Sequence, residues 1–270
     1  PAYQVRRRTY DRKSMYFHIP KPEFSIAENI LRGLRSNKQY TDQEAKMLDL
    51  CLVLHAEHGG GNNSTFVTRT LTSSGTDTYS AIAAGIGSLK GPLHGGANVK
   101  VIGMLNDMKE NVSDWKDPDQ VDDYLKKILN KEAYDRTGLI YGVGHAVYTI
   151  SDPRTGLLKE MARELAKEKG REAEFAFMEL IENRAVEVFL EAKKQTAKGN
   201  VCVNVDFYSG FVYDAIGLPP EVFTPLFAMA RIVGWSAHRI EEMNFSSKRL
   251  IRPAYKNVRE RQEFTPLNKR

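Results

Sequence analysis

The sequence predicts an all-α protein. Apolar residues recur at helical spacing along most of the chain, and two capping boxes open two of those stretches. Strand signals are confined to two short pieces, 139–143 and 201–205.

In order, Ser25 and Glu28 form the first capping box, ahead of Ile26, Ile30, Leu31 and Leu34. Thr41 and Glu44 form the second, opening a helix through Ala45, Leu48 and Leu52 to His55. Leu50, Leu52, Val53 and Leu54 make that helix apolar around much of its circumference, which predicts a place deep in the protein or in a subunit interface. Gly59, Gly60 and Gly61 end it. The next helix runs from Asp77 through Tyr79, Ile82, Ile86 and Leu89, with Ala81, Ala83, Ala84 and Gly85 small enough to let another helix come close. After the break Lys90-Gly91-Pro92, residues 99–108 read as helix, and Asp117-Pro118 starts another through Val121, Tyr124, Leu125, Ile128 and Leu129. Asp152-Pro153 sets an N-cap acid before a first-turn proline, followed by Leu157, Leu158, Met161 and Leu165 on one face. Residues 175–192 are similar, and Phe223, Leu226, Phe227, Ala230, Val233, Ala237 and Ile240 trace a long final stripe. The middle of the chain is loopier and more charged than its flanks. That predicts a small lobe, 96–220, inserted into a large helical lobe made of 1–95 and 221–270, with ligands expected between them.

Composition narrows the function classes. Of 270 residues, 41% are hydrophobic and 27% charged, which excludes a disordered or fibrous chain. No apolar run approaches the ~20 residues that span a bilayer, and no signal peptide is evident, so no membrane partner is expected and the cytoplasm is the default compartment. Cys51 and Cys202 cannot build a disulfide framework or a four-cysteine zinc site. The net charge is +5, with Arg6, Arg7, Arg8, Arg12 and Lys13 at one end and Lys248, Arg249, Arg252, Lys256, Arg259 and Arg261 at the other. Such runs read as solvated faces or mobile arms. Without interleaved aromatics they do not make a nucleic-acid surface, and small polyanionic ligands suit them better.

His94 sits in Gly91-Pro92-Leu93-His94-Gly95-Gly96-Ala97-Asn98, just before a helix whose positive end favours a neutral imidazole; the alternative is a turn histidine that caps the helix. His145 follows Gly142-Val143-Gly144, a pair of glycines that could cradle an anion or present amides. Asp206, between Val205 and Phe207, could be a desolvated and therefore stronger base, or an N-cap for a helix near Tyr208. Arg231 lies within an apolar helix, where it must snorkel out or meet a carboxylate. His55 and His58 share a helix face only if the helix continues that far, and no third ligand follows, so no metal is expected. His238 reads as structural.

Taken together, these segments resemble the citrate synthase family. Leu54-His55-Ala56-Glu57-His58 with Asn62, Asn63 and Ser64 comes first, and Gly91 to Asn98 is the most diagnostic stretch. Gly144-His145-Ala146-Val147-Tyr148, Asp152-Pro153-Arg154, Asn204 to Gly210, Arg231-Ile232-Val233-Gly234-Trp235 and Arg252-Pro253 follow in the family's order. The resemblance implies a two-lobed, nearly all-helical homodimer that condenses acetyl-CoA with oxaloacetate and hydrolyses the thioester, a transferase with no permanently bound cofactor and acetyl-CoA as co-substrate. By matching position, Asp206 would take the acetyl proton, His94 would donate to the thioester oxygen, and His145 would polarise the ketone. His58, Arg154, Arg231 and Arg252 would bind the oxo-acid, Arg252 across the subunit interface; Gly142, Val143, Gly144 and Asn204 would face CoA. A 2-methylcitrate synthase using propionyl-CoA, or a non-catalytic scaffold that kept the fold, would share these features. The family also carries a helical segment ahead of the position of Pro1, so the chain is expected to be a fragment, a clipped product or one piece of a two-chain enzyme.

Overall fold

The structure, a computed structural model, describes residues 2–144, 151–192, 201–254, 256, 258 and 264–269. Among these are eleven α-helices: α1 (Ala2–Thr9), α2 (Ile26–Leu34), α3 (Asp42–His55), α4 (Asn63–Ser73), α5 (Thr78–Leu89), α6 (Ala97–Asn111), α7 (Pro118–Leu129), α8 (Pro153–Glu168), α9 (Glu172–Ala192), α10 (Asp206–Ala215) and α11 (Phe223–Asn244). Both capping boxes close as predicted: Ser25 and Thr41 accept from the third backbone N–H, while Glu28 and Glu44 reach back to the cap. Asp77, Asp117 and Asp152 each accept a first-turn N–H. The two strand signals meet in one antiparallel bridge, Val143 with Val203.

Helix α10 is the axis of the core. Phe207, Tyr208, Phe211, Val212 and Tyr213 are all buried, and α10 packs on α3, α6 and α8. Gly210 permits the approach to α6, since a β-carbon there would lie 2.6 Å from Ile102 and 3.1 Å from the Asn98 carbonyl. The first residue of this buried helix is Asp206. Helix α11 crosses α3, α4 and α5. Its Gly234 lies so close to the end of α3 that its N–H donates to the Ala56 carbonyl at 3.1 Å, which brings Arg231, one turn earlier, to His55. The small residues of α5 act as predicted: a β-carbon on Gly85 would stand 2.5 Å from Thr68 Oγ1 of α4 and 3.3 Å from Trp235 of α11.

Two features of the fold depart from the sequence reading. The basic N-terminal run lies mostly in helix α1 and is not an arm; Arg6 pairs with Asp11 and Glu221, and Arg7 lies 4.7 Å over the Tyr16 ring. Helix α4 has no counterpart in the sequence pattern, because 63–73 is rich in Ser and Thr and lacks an apolar stripe. Its hydroxyls bond back along the helix, Thr68 to the Ser64 carbonyl at 2.9 Å and Thr72 to that of Thr68 at 2.8 Å. Helix α3 ends at His55, as the sequence predicts, so the condition under which His58 would share its face is not met.

Candidate active site

The site is built where α3, α6, α8, α10 and α11 converge. Asp206 is the first residue of α10, not its N-cap; Val205 holds that place and offers no side-chain bond. The segment leading to it is pinned to 142–144. Gly144 N–H donates to the Cys202 carbonyl at 2.8 Å, Asn204 N–H to that of Gly142 at 2.9 Å, and Asn204 Nδ2 to that of Gly144 at 3.0 Å. Asn204 Oδ1 in turn accepts the Asp206 N–H at 3.0 Å. Gly142 has φ +80°, and a β-carbon there would press Phe207 and Val101 at 2.9 and 3.0 Å, so the turn requires glycine. The residue surface of Asp206 is partly open, yet its carboxyl lies deep among protein atoms. Burial lifts its pKa from 3.8 to about 6, against the pull of Arg154 and Arg231 and with a smaller push from Asp152.

His94 lies in a turn closed by its N–H on the Gly91 carbonyl at 2.9 Å. Its Nε2 is 3.1 Å from Ser64 Oγ on α4, which is 2.9 Å from Asn62 Oδ1. Burial, and then the nearby Arg231, lower its pKa, so the imidazole is neutral, as expected. The cause differs from the expected helix end, because α6 begins three residues later at Ala97 with Gly96 as its cap.

Arg231 neither snorkels nor meets a carboxylate. It is 1% exposed, its Nε donates to the His55 carbonyl at 2.6 Å, its guanidinium lies 4.6 Å over Phe227, and its Nη1 and Nη2 have no partner among the described residues. Burial draws its pKa down to about 10, with Glu57 and Asp206 opposing and Arg154 assisting. A guanidinium fork pairs bidentately with a carboxylate where one is offered. Arg154 is held by Asp152, whose Oδ1 accepts from its N–H and Nε at 3.0 Å and whose Oδ2 accepts from its Nη2 at 2.8 Å. The same Oδ2 accepts the Val205 N–H at 3.1 Å, one residue before Asp206. One buried carboxylate therefore fixes both Arg154 and the approach to Asp206. In the sequence Asp152 reads only as a cap; its second duty depends on a contact 53 residues away.

Arg231 is thus within electrostatic reach of His94, Asp206 and Arg154, and Arg154 within reach of Asp206. His58 is half-buried just past α3, and Arg252 is exposed in the C-terminal segment. His145 lies outside the described residues. His238 pairs with Glu57 at 2.9 Å, in keeping with a structural role. Among the described residues no group of His, Cys, Asp and Glu could hold a metal, and no helix is long and apolar enough to cross a membrane.

The helical frame sets a neutral imidazole and an elevated carboxyl near a buried guanidinium, that of Arg231. The chain belongs to the citrate synthase family: residues 2–254 match the family described as citrate synthase, C-terminal domain. Citrate synthase of Deinococcus radiodurans is 40% identical over 235 residues, 87% of this chain and 56% of that protein. A 2-methylcitrate synthase of Shewanella oneidensis is 37% identical over 209 residues, 77% of this chain and 49% of that one. Among solved structures, the citrate synthase of the thermophilic archaeon Thermoplasma acidophilum, in a ternary complex with carboxymethyl coenzyme A and oxaloacetate, superposes with a TM-score of 0.76 at 30% identity. That match covers 99% of this chain and 65% of the other. The chain spans about half the length of the curated relatives it matches.

Proposed function

We propose that this chain carries the acid–base centre of an enzyme that condenses acetyl-CoA with oxaloacetate and hydrolyses the product to citrate and CoA. The observation that carries the reading is the joint placement of a raised carboxyl, Asp206, and a neutral imidazole, His94, around the unpartnered Arg231 fork. Asp206 takes a proton from the acetyl methyl group, for which a pKa near 6 makes it a better base than an ordinary aspartate. His94 donates to the thioester oxygen as the enol forms. That role needs the hydrogen on Nδ1, which requires the Ser64 hydroxyl to turn from Asn62 Oδ1, to which it donates at 2.9 Å, onto Nε2 at 3.1 Å. The enol carbon then bonds to the ketone carbon while His145 protonates the new alkoxide. Water cleaves the thioester and releases CoA.

Arg231, Arg154 and His58 hold the two carboxylates of the oxo-acid, with Arg252 supplied by a second copy in a homodimer. Gly142, Val143, Gly144 and Asn204 face CoA. The dimer reading is supported by the apolar residues left exposed on α5 and α11: Tyr79, Ile86, Ile232, Val233 and Ile240. The small lobe, 96–220, closes on the large one, and its two crossing points are adjacent, Thr224 Oγ1 donating to the Gly95 carbonyl at 2.8 Å. Cys51 is a buried thiol, which suits a reducing cytoplasm.

Thiol release from acetyl-CoA by this chain, measured with and without oxaloacetate, tests the reading. Release that requires oxaloacetate supports it; no release, with no oxaloacetate binding by calorimetry, overturns it. The similarity to a 2-methylcitrate synthase makes propionyl-CoA the second candidate, since one methylene changes specificity by only ~1–3 kcal/mol. Comparing kcat/KM for the two thioesters decides between them.

A further inference from the structure

Behind the arginine fork lies a buried polar chain that the proposed reaction does not use. The Tyr213 hydroxyl of α10 is 3.2 Å from Nδ1 of His55, and it also meets the thiol of Cys51, one turn earlier on α3. All three side chains are fully buried. Tyr213 has a single proton to place. A ring nitrogen is a far stronger acceptor than a thiol sulfur, so Tyr213 donates to Nδ1 and accepts from the Cys51 S–H. Burial, with Arg231 and Arg154 nearby, lowers the His55 pKa to about 3, so the ring is neutral at any working pH. A neutral imidazole that accepts at Nδ1 carries its hydrogen on Nε2. That Nε2 is buried without a partner among the described residues, in the same electrostatic field as Arg231 and Arg154. The residue also acts through its backbone, where its carbonyl holds Arg231 Nε at 2.6 Å. Phe227 lies 4.6 Å from both the His55 ring and the Arg231 guanidinium, locking the two together.

We infer that Tyr213 and His55 form a positioning pair for the carboxylate site: Tyr213 fixes the Nε2–H tautomer, which adds a donor beside the Arg231 fork. The carboxylate target rests on the function proposed above, whereas the tautomer lock stands on geometry alone.

Nitrogen NMR of the histidine-labelled chain, with the His55 signals identified by their loss in His55→Gln, reads the tautomer directly. The expected result is an unprotonated, hydrogen-bonded Nδ1 and a protonated Nε2, with that preference lost in Tyr213→Phe. The same variant keeps the ring that packs 5.1 Å from Phe223. It is expected to raise the oxaloacetate KM, and its Kd by calorimetry, about three- to tenfold while kcat changes less than about twofold. A purely structural tyrosine would lower the thermal midpoint and leave the tautomer and the KM-to-kcat split unmoved. A protonated Nδ1 in the unmodified chain overturns the pair. Unchanged oxaloacetate affinity in Tyr213→Phe overturns its role at the carboxylate site. An unmodified chain that neither binds nor turns over oxaloacetate defeats the functional reading and the carboxylate target with it, yet leaves the tautomer result to stand or fall separately.

Discussion

Asp206 holds its negative charge at a cost to folding, and Asp206→Asn removes that cost. A carboxyl moved from 3.8 to about 6 on folding carries up to about 3 kcal/mol of free energy favouring its neutral form. Because the folded pKa is raised, the folded state binds more protons than the unfolded state between those two values. Stability is therefore lost as pH rises through that window, and above about 6 the full penalty applies. Asparagine is nearly isosteric and never charges. At pH 7 Asp206→Asn should gain about 1–3 kcal/mol of unfolding free energy, with the gain fading below pH ~4. Urea denaturation of both proteins from pH 4 to 8 measures this. The same variant should lose oxaloacetate-dependent thiol release, and kcat of the parent should climb as pH passes about 6 and the base ionises. A variant less stable than the parent at pH 7, or one whose difference ignores pH, would show that burial does not strain this carboxyl.

Glu44 is the opposite case. Burial acts to raise its pKa, but bonds from Arg35 at 2.5 Å, Lys169 at 2.7 Å and the Thr41 N–H at 3.0 Å draw it down to about 2. Its stabilisation is complete above about 4.5 and is lost as pH falls toward 2, and Glu44→Ala should cost about 1–3 kcal/mol at neutral pH by denaturant titration. Asp152→Asn weakens the Arg154 fork and the hold on Val205 together, so oxaloacetate KM should rise and kcat should fall, where a change confined to the arginine would move KM alone. A methyl on Gly234 would overlap the Ala56 carbonyl and Glu57. Gly234→Ala should therefore destabilise by about 2–4 kcal/mol and weaken oxaloacetate binding by shifting His55, both measurable in one thermal-shift series with and without oxaloacetate.

Much of this protein is legible in one dimension because the forces involved are local. Ser25, Thr41, Asp77, Asp117 and Asp152 mark helix starts by bonding within three residues of themselves. The segments around His94 and Asp206 could likewise be read as candidate chemistry from residue type and order alone. Helix α4 stayed hidden because its support comes from elsewhere. Ser- and Thr-rich 63–73 has no stripe to read, and only packing against α5 and α11 makes it a helix.

The sequence by itself determined the helical class, most helix starts, and the residue types able to move protons or bind carboxylates. Tertiary structure alone decided that the Asp206 carboxyl is buried, that Arg231 keeps two terminal nitrogens unpartnered among the described residues, and that Asp152 grips Val205. The physical reason is range. Caps and periodicity act over a few residues of one helix, whereas desolvation and charge coupling depend on what the rest of the chain places beside a group.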